Sequence, residues 1–213
     1  MDNLEIKIRG YEEKDEDSIR KICCDTGLWG KPIDSVFEDR EMFADLIIGP
    51  YLKYEPEHVL VAEDYGEVVG YLTGYLNKNF EVKTAPFFIK SIAKMLSRYL
   101  KYNKRSRKFV RHSLTKTPFE LPKHLKAAHL HINLKENSRG SKIGAQLLDA
   151  YERMLKLKGL NHYYGEVVSS NCKRTQELYE KLGFRFYDKV KSTIFNPEIN
   201  EDLYIMCIHK ELK

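Results

Sequence analysis

The segment from His129 to Gly159 constrains the fold more than any other part of the sequence, because its hydrophobic period changes once. Leu130, Ile132 and Leu134 alternate with polar residues, which predicts a strand with one buried face. After a short polar stretch, apolar residues recur at helical spacing until Gly159, which suits a helix C-terminal cap. The segment therefore predicts a strand, a polar loop and an amphipathic helix.

The loop between that strand and helix has the composition of an anion-binding site. Arg139, Ser141 and Lys142 lie beside the start of the helix, where the first backbone N–H groups have no partner within the helix. A phosphate or pyrophosphate binds to such groups. The sequence has neither the Walker spacing nor the three-glycine dinucleotide fingerprint at this loop. These two kinds of phosphate loop are therefore excluded.

This loop resembles a known family motif, the Arg/Gln-x-x-Gly-x-Gly/Ala loop of the GNAT superfamily of acyl-CoA-dependent N-acetyltransferases. Arg139 and Gly144 match the motif, and Lys142 stands where the family usually has its central glycine. The resemblance implies that the loop holds the pyrophosphate of acetyl-CoA and that the backbone of the preceding strand holds the pantetheine arm. The residues implied are Ile132, Asn133 and Leu134 on the strand and Arg139, Gly140, Ser141, Lys142, Ile143, Gly144 and Ala145 in the loop.

A second segment carries the same resemblance. Residues 178–184, Leu-Tyr-Glu-Lys-Leu-Gly-Phe, match the end of the family's next cofactor-side helix without a gap. Tyr179 then corresponds to the family's tyrosine near the sulfur, which implies a cofactor contact and the general acid. Asn171 corresponds to the family's asparagine, although it lies one residue early. The two motifs stand in the family's order, separated by a helix and a strand.

The resemblance implies an α/β fold of the GNAT type, with a mixed, mostly antiparallel sheet flanked by helices. Periodicity along residues 1–213 predicts the order β-α-α-β-β-insertion-β-α-β-α-β-β within a single domain. A helix over residues 38–48 is expected to end at Gly49 and Pro50.

Residues 77–126 form the insertion, between the third and fourth strands, and we expect it to lie over the acceptor site. An apolar stripe that includes Ile89, Met95, Leu96 and Leu100 predicts a helix within it. A basic run with interleaved aromatics follows at residues 101–112. Such a run could bind RNA or another polyanion, face solvent, or form a site for an acidic substrate.

The chemistry implied by the resemblance is direct attack of an amine on the thioester of acetyl-CoA. It needs an oxyanion stabiliser, a base and an acid for the leaving sulfur. The resemblance assigns the first role to strand N–H groups and the last to Tyr179. His131 and Glu166 are the candidate bases; His131 titrates in a suitable range, and Glu166 could act through water. His129 shares a strand face with His131, and either histidine could be structural. An enzyme of this kind could also lack a single essential base.

A finer resemblance concerns residues 127–132, Ala-Ala-His-Leu-His-Ile, with residues 49–52 and 55–57. These segments are similar to a GNAT subgroup that includes the acetyltransferase-like domains found with O-GlcNAc hydrolases. Some members of that subgroup are thought not to bind acetyl-CoA productively. A catalytically inactive protein therefore stays open as an alternative.

The sequence thus predicts an N-acetyltransferase that uses acetyl-CoA as co-substrate, needs no metal and acts on an amine of a small molecule or protein. The alternative is an inactive binding module with an anionic partner such as RNA. The formal net charge of +5 is too mild to require nucleic acid. No apolar run approaches the ~20 residues that span a bilayer, and the first residues do not resemble a signal peptide. We therefore expect a cytoplasmic protein without a membrane partner, and a homodimer stays open.

Overall fold

A seven-stranded sheet forms the centre of the structure, a computed structural model that describes residues 5–76, 79–123, 125, 127–194 and 201–212. The strands follow the order β1-β2-β3-β4-β5-β7-β6, and only the β4–β5 pair is parallel. The predicted mixed, mostly antiparallel sheet is confirmed. The strands are β1 (Ile6–Gly10), β2 (Leu60–Asp64), β3 (Glu67–Tyr75), β4 (Ala128–Leu134), β5 (His162–Ser169), β6 (Arg185–Ser192) and β7 (Leu203–Glu211).

Helices cover both faces of this sheet. Tyr71 and Leu72 are neighbours on β3, so their side chains point to opposite faces, and each is fully buried in a different apolar cluster. The cluster of Tyr71 contains residues of the first five helices, and that of Leu72 contains residues of the sixth and seventh. In the described residues the helices are α1 (Glu16–Thr26), α2 (Arg40–Ile47), α3 (Gly49–Tyr54), α4 (Phe80–Arg98), α5 (Lys104–Thr115), α6 (Ile143–Leu157) and α7 (Cys172–Lys181).

The helix predicted over residues 38–48 does end before Gly49 and Pro50, but a further short helix that was not predicted follows it. Helix α2 ends at Ile47, and α3 begins at Gly49, with Pro50 in its first turn. Proline is tolerated there because the first N–H groups of a helix have no intrahelical acceptor. Helix α3 matters for the site because it buries Tyr51.

The insertion contains α4 and α5, while its predicted end points, residues 77 and 126, lie outside the described residues. Met95 of the predicted stripe is buried, but Ile89 and Leu96 are 69% and 49% exposed. The solvent-facing side of α4 therefore carries large apolar side chains. The insertion packs against the start of α2, where Asp39 accepts hydrogen bonds from Arg98 at 3.0 Å and from the hydroxyl of Tyr102 at 2.7 Å.

Candidate active site

A gap opens in the sheet between β4 and β5. The two strands pair only over Ala128–Leu130 and Tyr163–Gly165. Strand β4 continues to Leu134 and β5 to Ser169, whereas β4 remains paired with β3 along this whole length. Among the described strands, none pairs with this edge of β4 over its last four residues, and a ligand could bind there to the backbone of β4.

The hydrogen-bonding direction of β4 decides which residues face the gap. The N–H of Lys135 donates to the carbonyl oxygen of Val69 at 2.9 Å. Because these directions alternate along a strand, the backbone groups of Ile132 and Leu134 point into the gap, and those of Asn133 point to β3. The side chain of Asn133 donates to the hydroxyl of Tyr71 at 2.8 Å. Of the three residues predicted to hold the pantetheine arm, two thus present their backbone to the gap.

The loop after β4 leads into a helix start that suits an anion. Lys142 has φ 65° and ψ 2°, a left-handed conformation that glycine adopts without steric cost. The lysine therefore takes the backbone conformation that glycine would supply at this position. No side chain caps the first turn of α6, so the N–H groups of Ile143, Gly144 and Ala145 lack intrahelical acceptors. These groups and the helix dipole favour a phosphate.

The cations of this loop lie on its surface. Both Arg139 and Lys142 are exposed, and Gly140, between them, has φ 81°. The guanidinium of Arg139 donates to the carbonyl oxygens of Gly30 at 3.0 Å and Leu134 at 3.4 Å. The Ser141 hydroxyl donates to the carbonyl of Ser138 at 2.5 Å, which closes the turn before α6. The structure therefore brings the predicted pyrophosphate residues together in this loop and the first turn of α6, and their contact with pyrophosphate stays a prediction.

Tyr179, the predicted general acid, lies on α7 on the α6 side of the sheet. Its ring packs edge-on against Phe184 with centroids 5.6 Å apart, in the same cluster as Ile132 and Leu134. Burial raises the pKa of its hydroxyl above the ordinary 10.0, so the hydroxyl is protonated at neutral pH. It can therefore act as a proton donor. Asn171 caps α7, because its side-chain oxygen accepts the N–H of Arg174 at 3.1 Å.

The candidate bases lie on the opposite side of the sheet. The side-chain nitrogens of His129 and His131 and the carboxylate of Glu166 provide atoms that all lie within 4.8 Å of one another. Glu166 directly follows Gly165, the last β5 residue paired with β4, so the group sits where the gap begins. The structure thus brings His131 and Glu166 together, and it places the predicted acid and the candidate bases on opposite faces of the gap.

His129, which the sequence offered only as a structural alternative, has hydrogen-bond partners at both ring nitrogens. It is 4% exposed, its Nε2 lies 2.7 Å from Oε2 of Glu166, and its Nδ1 lies 3.3 Å from the hydroxyl of Tyr51. Sequence reasoning did not assign a role to Tyr51, because helix α3, which carries it, was not predicted. The proline in the first turn of α3 was the signal that could have identified it.

Within the part of the chain that the structure describes, two groups of side chains have the composition of a metal site: His129 with His131 and Glu166, and Glu55 with Glu57 and His58. In the second group, Nδ1 of His58 lies 2.6 Å from Oε2 of Glu55. In each group, a short histidine–carboxylate hydrogen bond therefore holds two of the three side chains together.

Comparison with models of protein families matches residues 18–184 to the acetyltransferase (GNAT) family. No curated protein matches the sequence significantly. The crystal structure of SsHAT is 22% identical, with a TM-score of 0.72 over 97% of this chain and 98% of that chain. The structure of yncA from Salmonella typhimurium with its cofactor acetyl-CoA is 14% identical, with a TM-score of 0.58 over 98% of this chain and 94% of that chain. A ribosomal-protein-alanine N-acetyltransferase from Brucella melitensis is 18% identical, with a TM-score of 0.56 over 97% and 99% of the two chains. At these identities the structural likeness shows the fold.

Among the described residues, no helix combines the length and the apolar character that crossing a membrane requires.

Proposed function

We propose, from the premise that this chain belongs to the acetyltransferase (GNAT) family, that it transfers the acetyl group of acetyl-CoA to an amine. The acceptor is an amine of a small molecule or a protein. The family membership supports acetyl transfer, and the arrangement of this chain's own residues supports the finer statement.

One observation carries the proposal: the gap between β4 and β5 opens beside an uncapped helix start. An extended ligand that ends in a pyrophosphate matches this arrangement, because its arm can bind strand N–H groups while its phosphates bind helix N–H groups. The left-handed backbone of Lys142 supports the proposal as well, because the lysine that stands in place of the motif's glycine adopts a backbone conformation that glycine favours.

The residues on the two faces of the sheet at the gap carry out different steps of the reaction. N–H groups of β4 stabilise the oxyanion that forms when the amine attacks the thioester carbonyl. The amine proton passes to a base on the face of the sheet that carries His131 and Glu166. As the carbon–sulfur bond breaks, Tyr179 gives its proton to the sulfur, and free CoA leaves.

The proposal is tested by incubating the protein with acetyl-CoA and each of three amines: spermidine, a lysine-containing peptide with a blocked N-terminus, and a lysine-free peptide with a free N-terminus. We expect free thiol to appear and one amine to gain an acetyl group by mass spectrometry. Tyr179→Phe should lower kcat about 100-fold or more while acetyl-CoA still binds. Tyr65→Phe, which changes a tyrosine that is 71% exposed, is the matched control and should keep native kcat. Acetyl-CoA binding without transfer to any amine would contradict the proposal.

The finer subgroup resemblance is supported by how its segments meet. The resemblance rested on residues 49–52, 55–57 and 127–132, which are far apart in sequence. In the fold, Tyr51 from the first segment contacts His129 from the third. We therefore propose that this chain shares its acceptor side with the acetyltransferase-like domains found with O-GlcNAc hydrolases. A non-catalytic relative of that kind would fail to bind acetyl-CoA.

A second candidate function, binding of an anionic partner, is favoured by the charges of α5. Five of its twelve residues are Lys or Arg, and none of these five forms an ion pair with another described residue: Lys104, Arg105, Arg107, Lys108 and Arg111. Like charges four residues apart destabilise a helix, so this surface costs stability. If it binds RNA, a fluorescent single-stranded oligonucleotide should bind at low salt and dissociate at high salt. Lys104→Gln with Lys108→Gln should weaken that binding more than the exposed control Lys90→Gln.

A further inference from the structure

His129 is held on every side by groups from other elements. Its backbone carbonyl accepts the hydroxyl of Tyr151 at 2.9 Å. Its ring lies between those of Tyr75 and Tyr164, with centroids 5.2 and 4.7 Å away. The ring therefore has one position, and its two nitrogens point at two fixed partners.

The protons of this group run in one direction. Burial raises the pKa of the Tyr51 hydroxyl well above 10.0, so it keeps its proton and can donate to Nδ1 of His129. A neutral imidazole that accepts at Nδ1 carries its proton on Nε2. That nitrogen lies 2.7 Å from Oε2 of Glu166 and donates to it. The chain of donors thus runs from Tyr51 through His129 to Glu166.

We propose that His129 is a positioning residue that holds the carboxylate of Glu166 at the opening of the β4–β5 gap, so that this carboxylate takes the proton of the attacking amine. The amine nitrogen bonds to the acetyl carbon, and the carbon–sulfur bond breaks. The amine proton goes to Glu166 directly or through one water molecule, and the sulfur takes the proton of Tyr179. The inference rests on the proposed acetyl transfer.

Two substitutions of His129 separate positioning from packing. The amide of His129→Gln can still donate from Nε2 to the carboxylate, whereas His129→Phe fills the ring volume without a donor. We expect His129→Phe to lower kcat about 100-fold with KM for acetyl-CoA unchanged, because a misplaced catalytic group costs about that much. His129→Gln should stay within about tenfold of the native kcat. Rates are measured by thiol release with the best amine of the three-amine panel.

The pH profile gives a readout that simple packing would not move. Glu166 must be ionised to accept a proton, and loss of a donated hydrogen bond disfavours the ionised form. The acidic limb of the rate profile should therefore move to higher pH in His129→Phe and stay near its native position in His129→Gln. The titratable groups around the Glu166 carboxylate are the same in both variants: Tyr51, Tyr75, His131, Tyr164, Tyr187 and Cys207.

A double-mutant cycle with Glu166→Gln completes the test. If His129 acts through Glu166, adding His129→Phe to Glu166→Gln should lower kcat by less than twofold more, because residues that act as a unit are not additive. The inference is overturned if the two losses multiply, or if His129→Gln is no better than His129→Phe while both variants unfold at the native temperature.

Nitrogen NMR of the histidine side chains reads the hydrogen bond without turnover. A protonated Nε2 that shifts in Glu166→Gln and in Tyr51→Phe is expected, and an unprotonated Nε2 overturns the inference. Failure of the proposed function looks different, because the native protein would then acetylate no amine at all. In that case the positioning role falls with it, even if the protonated Nε2 is observed.

Discussion

The guanidinium of Arg139 donates a hydrogen bond to the carbonyl oxygen of Gly30, 3.0 Å away and 109 positions earlier in the sequence. Gly30 belongs to the turn between α1 and α2, on the side of the sheet that carries the Tyr71 cluster. Arg139 belongs to the loop before α6. This contact joins the predicted pyrophosphate loop to the helical layer. A phosphate is a stronger acceptor for a guanidinium than a carbonyl, so the proposed binding of acetyl-CoA at this loop predicts that the arginine exchanges the carbonyl for a phosphate.

Arg139→Ala should weaken acetyl-CoA binding without unfolding the protein. A hydrogen bond to a charged group contributes about 1.5–3 kcal/mol, so the Kd measured by calorimetry should rise about 10- to 100-fold. Arg153→Ala is the control, since Arg153 is an exposed arginine of α6 that pairs only with Asp149 four residues before it. Equal affinities for the two variants would contradict a role of Arg139 in the pyrophosphate site.

Lys142→Gly should leave the loop intact and keep or raise stability. A left-handed backbone costs a non-glycine residue about 1–2 kcal/mol, and the greater freedom of glycine in the unfolded chain offsets part of that gain. The free energy of unfolding should therefore rise by about 0–1 kcal/mol in urea titration. Lys156→Gly, inside α6, should instead lose about 1 kcal/mol. A similar loss in both variants would argue against the left-handed conformation.

Gly74→Ala should destabilise the centre of the sheet. A Cβ at Gly74 would lie 2.5 Å from the hydroxyl of Tyr151 and 2.6 Å from the carbonyl oxygen of His129, the two atoms that bond to each other. Overpacking of this kind costs about 1–3 kcal/mol, measured as the free energy of unfolding. Gly10→Ala in β1 is the control, because no atom lies within 4 Å of its Cβ position. Equal stability of the two variants would mean that Tyr151 does not occupy this position.

Arg9 and Asp15 predict a pH-dependent contribution to stability. Arg9 donates to both oxygens of the buried Asp15 carboxylate at 2.6 and 2.9 Å, and these hydrogen bonds lower its pKa below the ordinary 3.8. The resulting stability is present above about pH 4 and is lost as the pH falls through the lowered pKa. Arg9→Met should lose about 3 kcal/mol of unfolding free energy at pH 7, because it leaves a buried charge unpaired.

The measurement for Arg9→Met is urea unfolding at pH 7 and at about pH 3. The difference in unfolding free energy between the variant and the native protein should shrink at the lower pH, because the Asp15 carboxyl group of the variant is protonated there. Lys14→Met, which removes an exposed cation near the same turn, should behave like the native protein at both pH values. A difference that stays constant with pH would exclude the ionised Asp15 as its cause.

Periodicity predicted the order of the strands and of every helix outside the insertion except α3, because most of these elements carry their own pattern. The alternation of Leu130, Ile132 and Leu134 with polar residues predicted β4, which spans Ala128–Leu134. The direction of the α4 side chains was less predictable. The stripe through Ile89 and Leu96 suits a buried face, yet both are exposed, because the helix instead buries Thr84, Ser91 and Met95. Packing partners, which local patterns do not contain, decide that choice.

The part of the candidate site that lies within one sequence segment could be predicted from the sequence. The part that depends on how two strands pair could not. The motif predicted that Arg139 and Gly144 lie close together, and the structure has Arg139 in the loop before α6 and Gly144 in the first turn of α6. The link between His129 and Glu166 follows from where β4 and β5 stop pairing, which no local pattern encodes. The conformation of Lys142 was also hidden, because lysine itself disfavours a left-handed backbone and only the surrounding loop imposes it.

The most direct test of the account is the thermal unfolding of the native protein with and without saturating acetyl-CoA, repeated on Lys142→Gly. A ligand that binds only the folded state must stabilise it, so the account predicts a rise in Tm for both proteins. A rise only in Lys142→Gly would mean that the fold is right and the native loop rejects the co-substrate. No rise in either protein would contradict the proposal that this gap and loop bind acetyl-CoA.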